Sequence, residues 1–137
     1  MTTKLIRSKP NNQGYYMPAE WERHSATWLA WPQNKGYWLG DAMDLIEAAY
    51  ILAVKALSSG EHIHILANND KNVFRISNLL IKNQVLLTNV SIHIIPTKDI
   101  WIRDYGPNFL ISKNTEKPIR LNHWLFNSWG NKYEMKE

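Results

Sequence analysis

Glu61-His62-Ile63-His64-Ile65-Leu66 alternates polar and apolar side chains, and its reading decides the architecture. A period of two belongs to a β-strand with one buried face, so Ile63 and Ile65 are expected on the core side. On either side of this strand the period changes. Upstream, Met43, Ile46, Tyr50, Ala53 and Leu57 recur at steps of three and four, the spacing of a helix with one inward stripe. Asp41 stands where it can cap that helix, and Gly60 where it can end it. Downstream, Asp70 opens a second helical segment with Val73, Ile76, Leu79 and Leu80 on its apolar side.

Further out, Thr27-Trp28-Leu29-Ala30-Trp31 is a short apolar and aromatic run closed by Pro32, a buried-strand signal. Gln33 to Gly40 reads as a loop. Ser91-Ile92-His93-Ile94-Ile95 predicts another strand, closed by Pro96. Phe109 to Ile111 and Ile119 to Phe126 predict two more, divided by the polar turn Lys113 to Pro118. The order strand, helix, strand, helix, strand, strand, strand is an α/β pattern with a mixed sheet. Residues 1–14 are polar and unpatterned and read as a loose arm. Residues 15–137 then form one domain, and no internal repeat or low-complexity tract is present.

Composition narrows the function classes. The 137 residues are 45% hydrophobic and 20% charged, ordinary for a globular domain. No stretch has the length of a membrane span, and residues 1–10 lack the apolar run of a secretory leader, so a cytoplasmic protein without membrane attachment is expected. There is no cysteine, which removes disulfides, thiolate metal sites and a cysteine nucleophile from these residues. The net charge of +4 comes from scattered Lys and Arg, with only Lys4, Arg7 and Lys9 close together, so nucleic acid is not an expected partner. His62 and His64 share a strand face, a spacing compatible with a metal, but no third ligand can be identified and a solvated strand face is the expected reading. The chain has no phosphate-binding glycine loop and no nucleophile elbow. Seven tryptophans, with Trp21, Trp28, Trp31 and Trp38 close together, suit either an aromatic core or a pocket lining.

Trp101-Ile102-Arg103-Asp104-Tyr105-Gly106-Pro107 carries the most chemistry. It follows a strand and runs into a Gly-Pro turn, and charged residues in such a place face clefts. Asp104 can accept two parallel hydrogen bonds from a guanidinium group. Trp101 can lie over the face of the same planar cation. The other reading of these residues is local: Arg103 and Asp104 making turn or salt-bridge contacts, with Trp101 in the core.

Four stretches together resemble the agmatine deiminase and bacterial peptidylarginine deiminase family. They are Met17-Pro18-Ala19-Glu20-Trp21-Glu22, Thr27-Trp28-Leu29-Ala30-Trp31-Pro32, Trp101 to Pro107, and Phe126-Asn127-Ser128-Trp129-Gly130-Asn131-Lys132-Tyr133. They occur in the family's order and correspond to the N-terminal, smaller part of a member. The resemblance implies a pentein fold, a five-bladed α/β propeller, of which this chain would hold the first blade and part of the second.

It also implies hydrolysis of agmatine to N-carbamoylputrescine and ammonia, a step of putrescine and polyamine biosynthesis. In that chemistry a cysteine thiolate attacks the guanidinium carbon, a histidine shuttles protons and carboxylates hold the substrate. Neither a cofactor nor a metal is expected. By the same resemblance Asp104 grips the guanidinium, Trp101 packs beside it, Arg103 holds the turn, and Asn34 lies near the pocket mouth. No catalytic residue is assigned within the chain, because the family's histidine, second aspartate and cysteine correspond to positions beyond residue 137. Alone, the chain is expected to be inactive. A peptidylarginine deiminase segment, and a non-catalytic guanidine-binding or interaction module, are the alternatives. The expected partners are a small guanidine substrate (agmatine or an arginine side chain) and a homo-oligomer mate or complementing chain.

Overall fold

The computed structural model describes residues 9–33, 42–114 and 116–132. Its centre is a three-stranded parallel sheet in the order β1 (Ala26–Ala30), β2 (His62–Ala67), β3 (Val90–Ile94). Parallel neighbours cannot be joined by a tight turn. The crossovers are α1 (Ala42–Leu57) and α2 (Asp70–Lys82), and both lie on one face of the sheet. The strand alternation predicted from Glu61 to Leu66 explains why. Ile63, Ile65 and Ala67 are fully buried on that face, where Ile51 and Val54 of α1 and Ile76 and Leu80 of α2 meet them. Leu29, Val90 and Ile92 complete the layer from the outer strands.

The helix ends follow local chemistry. The Asn69 side chain accepts from the Asn72 amide at 3.0 Å and caps α2, so the capping residue precedes Asp70. Asp41 lies outside the described residues. The inward stripe of α1 is rotated from the predicted one: Met43, Glu47, Ile51 and Val54 are buried, Ile46, Tyr50 and Leu57 are half-buried, and Ala53 is exposed. The sequence stripe counted only apolar residues and therefore passed over Glu47. Glu47 is 6% exposed and neutralised in place. Arg75 of α2 clasps it with both guanidinium nitrogens, and the Trp31 indole donates to it at 2.8 Å. One buried carboxylate thus ties α1, α2 and the end of β1 together.

The strands after β3 do not join this sheet. β4 (Asn108–Ile111) and β5 (Ile119–Asn122) make a separate antiparallel hairpin, so the sheet is not mixed. β5 also ends at Asn122 rather than running to Phe126. Residues 10–16 are pinned to this hairpin: Tyr16 exchanges both backbone hydrogen bonds with Ile111, the Tyr15 hydroxyl donates to the Lys117 carbonyl at 2.6 Å, and Arg120 stacks on the Tyr15 ring. No helix among the described residues is long and apolar enough to cross a membrane.

Candidate functional site

All three parallel strands end on one side of the domain, where α/β sheets characteristically place their ligands. There the chain beyond each strand is stitched to the others through side-chain amides. Gln33, following β1, donates to the Asn68 side chain at 3.1 Å and accepts from the Asn68 amide at 2.9 Å. It also accepts from the Asn72 side chain, and Asn68 accepts from the Thr97 amide at 2.7 Å. Gln33, Asn68 and Thr97 stand just past β1, β2 and β3, so this network fixes where the segment after β3 begins.

That segment carries the signature residues. Asp99 folds back to accept from its neighbour's amide, and the Tyr105 hydroxyl donates to the Asp99 carbonyl at 2.8 Å. Between them Ile102–Tyr105 form a single helical turn, α3, which packs against β1. The turn closes with the Gly106 amide donating to the Ile102 carbonyl at 2.7 Å. A Cβ at residue 106 would stand 2.5 Å from that same oxygen, so only glycine fits.

On this turn Trp101 is 54% exposed and Asp104 is exposed. Trp101 is therefore not a core residue. Among the described residues the Asp104 carboxylate has no ion-pair or hydrogen-bond partner. An exposed carboxylate and an exposed indole three residues apart on one turn are the kinds of group that take a planar cation, with hydrogen bonds in its plane and a ring on its face. Arg103 pairs with Glu20, fastening the turn to the segment that precedes β1. Asn34 lies outside the described residues.

Several residues that complete this corner carried no signal of their own in the sequence. The Tyr105 ring meets Phe126 at 6.1 Å, and Phe126 meets Trp129 edge-on at 5.1 Å. Ser128, Trp129, Gly130 and Asn131 all have positive φ, a left-handed turn in which the Asn127 side chain accepts from the Gly130 amide at 3.0 Å. Left-handed backbone costs a non-glycine residue about 1–2 kcal/mol, and such strain concentrates at functional sites. Burial first, and then the negative charge of Asp99, push the Tyr105 hydroxyl up to about 12, against a Thr97 hydrogen bond that acts in the opposite direction. Burial and Asp99 raise Tyr50 as well. The signal for Tyr105 and Phe126 was their place inside the two signature stretches; Gln33 and Asn68 could have been found as amides directly following strands.

The histidines form a different group, on the sheet face away from α1 and α2. His64 Nδ1 lies 2.9 Å from His93 Nε2, His62 Nε2 lies 2.8 Å from Ser91 Oγ, and Trp28 stacks on both His64 and His93. This face is half-buried and aromatic rather than simply solvated. Desolvation, then His62 and His93, lower the His64 pKa. Among the described residues no set of three metal-ligating side chains could hold an ion.

The sequence profile of the family described as Porphyromonas-type peptidyl-arginine deiminase matches residues 16–137. The agmatine deiminase of Stutzerimonas stutzeri is 34% identical over 134 residues, covering 96% of this chain and 33% of that protein. The agmatine deiminase of Medicago truncatula is 31% identical over 133 residues, covering 91% of this chain and 33% of that protein. In structure, the C. jejuni agmatine deiminase solved with substrate bound, a cysteine-to-serine variant, superposes with a TM-score of 0.69 at 21% identity. That match covers 89% of this chain and 33% of that one, and at this identity it speaks for the fold. The chain spans about a third of the length of the curated relatives it matches.

Proposed function

We infer that this chain, which belongs to the Porphyromonas-type peptidyl-arginine deiminase family, supplies part of the guanidinium-binding side of an agmatine deiminase-like hydrolase. The observation that carries the reading is the turn after β3, where Trp101 and Asp104 are both exposed and the Asp104 carboxylate has no ion-pair or hydrogen-bond partner among the described residues. In this reading Asp104 accepts two guanidinium N–H groups, Trp101 covers the face of the cation, and Arg103 positions both through Glu20. The pentein propeller is the architecture we propose for the complete catalytic unit, with residues 15–137 as its first blade and part of a second.

The reaction proposed for that unit is agmatine plus water giving N-carbamoylputrescine plus ammonia, a step that leads towards putrescine in the cytoplasm. A thiolate adds to the guanidinium carbon, and ammonia leaves after taking a proton from a general acid. Water then adds to the same carbon and the thiolate departs, leaving the ureido product. These residues hold no cysteine, so they supply substrate contacts and not the nucleophile. Agmatine is favoured over a peptidyl arginine because the sequence relatives compared above are agmatine deiminases.

The test is complementation. The Stutzerimonas stutzeri enzyme is split so that its N-terminal third and the remainder are separate chains, and a split that retains activity serves as the reference. This chain then replaces the N-terminal third, and ammonia release is followed with agmatine and with an arginine peptide. The expected result is ammonia from agmatine only when both chains are present, lost in Asp104→Asn. No activity beside an active reference, activity from this chain alone, or activity indifferent to Asp104→Asn overturns the reading.

A further inference from the structure

Both parallel ladders stop at the same level, and in both a proline follows. The β1–β2 ladder ends with the Trp31 amide donating to the Leu66 carbonyl at 3.1 Å, and the β2–β3 ladder with the Ile95 amide donating to the Ala67 carbonyl at 3.0 Å. Pro32 and Pro96 come next and have no N–H to offer. Donors to one neighbouring strand recur every second residue, so the next after Ile95 is Thr97. Among the described residues its amide meets no backbone carbonyl; it donates to the Asn68 side chain at 2.7 Å. On the other side the Asn68 amide donates to the Gln33 side chain at 2.9 Å. Side-chain amides thus carry the sheet one step beyond its backbone.

The direction of these bonds is fixed by the backbone. An amide N–H can only donate, so the oxygens of both side chains are committed: Asn68 Oδ1 to the Thr97 amide, and Gln33 Oε1 to the Asn68 amide. Gln33 Nε2 is left to donate to Asn68 Oδ1 at 3.1 Å, and the Asn72 side chain donates to Gln33 Oε1. Position 68 therefore needs a double acceptor, whereas position 33 needs a donor and an acceptor at once.

We propose that Asn68 is a positioning residue for guanidinium binding, its side-chain oxygen holding Thr97 and so setting where the turn with Trp101 and Asp104 stands. The proposal rests on the guanidinium-binding reading above and adds to it the residue that aims the site. Lys98 alone separates Thr97 from Asp99, whose carbonyl accepts from the Tyr105 hydroxyl at 2.8 Å. The Thr97 side chain also hydrogen-bonds Tyr105, the residue next to Asp104. Another polar tie to the turn, Arg103 to Glu20, joins two exposed side chains, and such pairs contribute little. The Asn68 bond is part-buried and made to a backbone amide, so its loss leaves a donor without a partner and costs more.

The test titrates the whole chain with agmatine, following the Trp101 indole signal, and reads amide exchange of residues 63–66 and 99–105 in the same variants. Asn68→Leu, which keeps the size and removes the acceptor, is expected to weaken binding about tenfold and to speed exchange over 99–105 while 63–66 stays protected. Asn68→Asp keeps the double acceptor and is expected to bind within about twofold of the parent chain. Gln33→Glu sets one oxygen against another and is expected to weaken binding about threefold. Parent-like binding by Asn68→Leu, or a loss with Asn68→Asp as large as with Asn68→Leu, overturns the inference; the guanidinium reading then still stands if Asp104→Asn abolishes binding. Should Asn68→Leu expose residues 63–66 as well, Gln33→Glu decides, and parent-like binding by it overturns the inference. A parent chain that does not bind agmatine overturns both.

Discussion

The parallel layer from β1 to β3 and the segment from residue 98 to 132 are built on opposite terms. In the layer, Ile63 and Ile65 are covered by two helices, the strand ends are laced by Gln33 and Asn68, and the buried carboxylate of Glu47 has both an arginine and an indole. In the later segment the elements are four residues long. Trp101, Phe109, Ile119, Leu121, Trp124 and Leu125 stand exposed, and the backbone bends left-handed from Ser128 to Asn131. The first region is held by its own core. The second takes its position from what it leans on: Glu20, β1, and the strand bonds of Tyr16. The candidate ligand groups sit on the second region, where side chains remain available for another surface, and are aimed by the first.

The comparison can be broken most directly by deleting core volume. Ile65→Ala is expected to cost about 3–4 kcal/mol in chemical denaturation, because the site is closed on all sides. Ile119→Ala, on the open hairpin, is expected to cost less than about 0.5 kcal/mol. Equal losses would mean that the two regions share one cooperative core. Glu47→Ala comes next, at about 2 kcal/mol. It strands the Trp31 indole and one end of Arg75, whose other side reaches water and softens the loss.

Gly106→Ala sharpens the contrast locally. The added Cβ would force the turn away from the Ile102 carbonyl at a cost of about 1–2 kcal/mol. Amide exchange of residues 102–106 is expected to accelerate while that of β2 stays protected; loss of protection in β2 would show that the turn supports the sheet.

The smallest effects are in pH. Tyr105 titrates at about 12 in the fold against 10.0 unperturbed, so the folded state holds this proton more tightly. Its contribution is complete below pH 10 and is lost as pH rises from 10 towards 12, and Tyr105→Phe should flatten that decline. His64 has the opposite sign of shift. The unfolded chain takes its proton first, so stability is complete above pH 6.5 and falls as pH drops below it. His64→Gln should reduce that slope, and an unchanged acid limb would assign it to other groups.

Much of the layer was legible because two periods, of two and of about three and a half, sit side by side between residues 42 and 94 and leave few ways to bury Ile63 and Ile76 together. What escaped was polar. Glu47 was invisible to a hydrophobic stripe because its burial depends on Arg75, distant in sequence, and that displaced the expected inward face of α1. The separate hairpin was read as part of one sheet because strand pairing is a long-range choice that neither β4 nor β5 encodes locally. The corner around Asp104 was legible in its residue types, and the resemblance joined its stretches. That Tyr105 touches Phe126, and that Arg103 reaches Glu20, required the fold.

The central claim is that Asp104 and Trp101 form one part of a grip on a guanidinium ion. Titrating the chain with agmatine, and separately with putrescine, which has the same alkyl amine and no guanidinium, tests it through the NMR signals of the Trp101 indole and the Asp104 amide. The account predicts a saturable shift at both signals with agmatine, little with putrescine, and none with agmatine in Asp104→Asn. Equal shifts from both amines, or an agmatine response that survives Asp104→Asn, would contradict it.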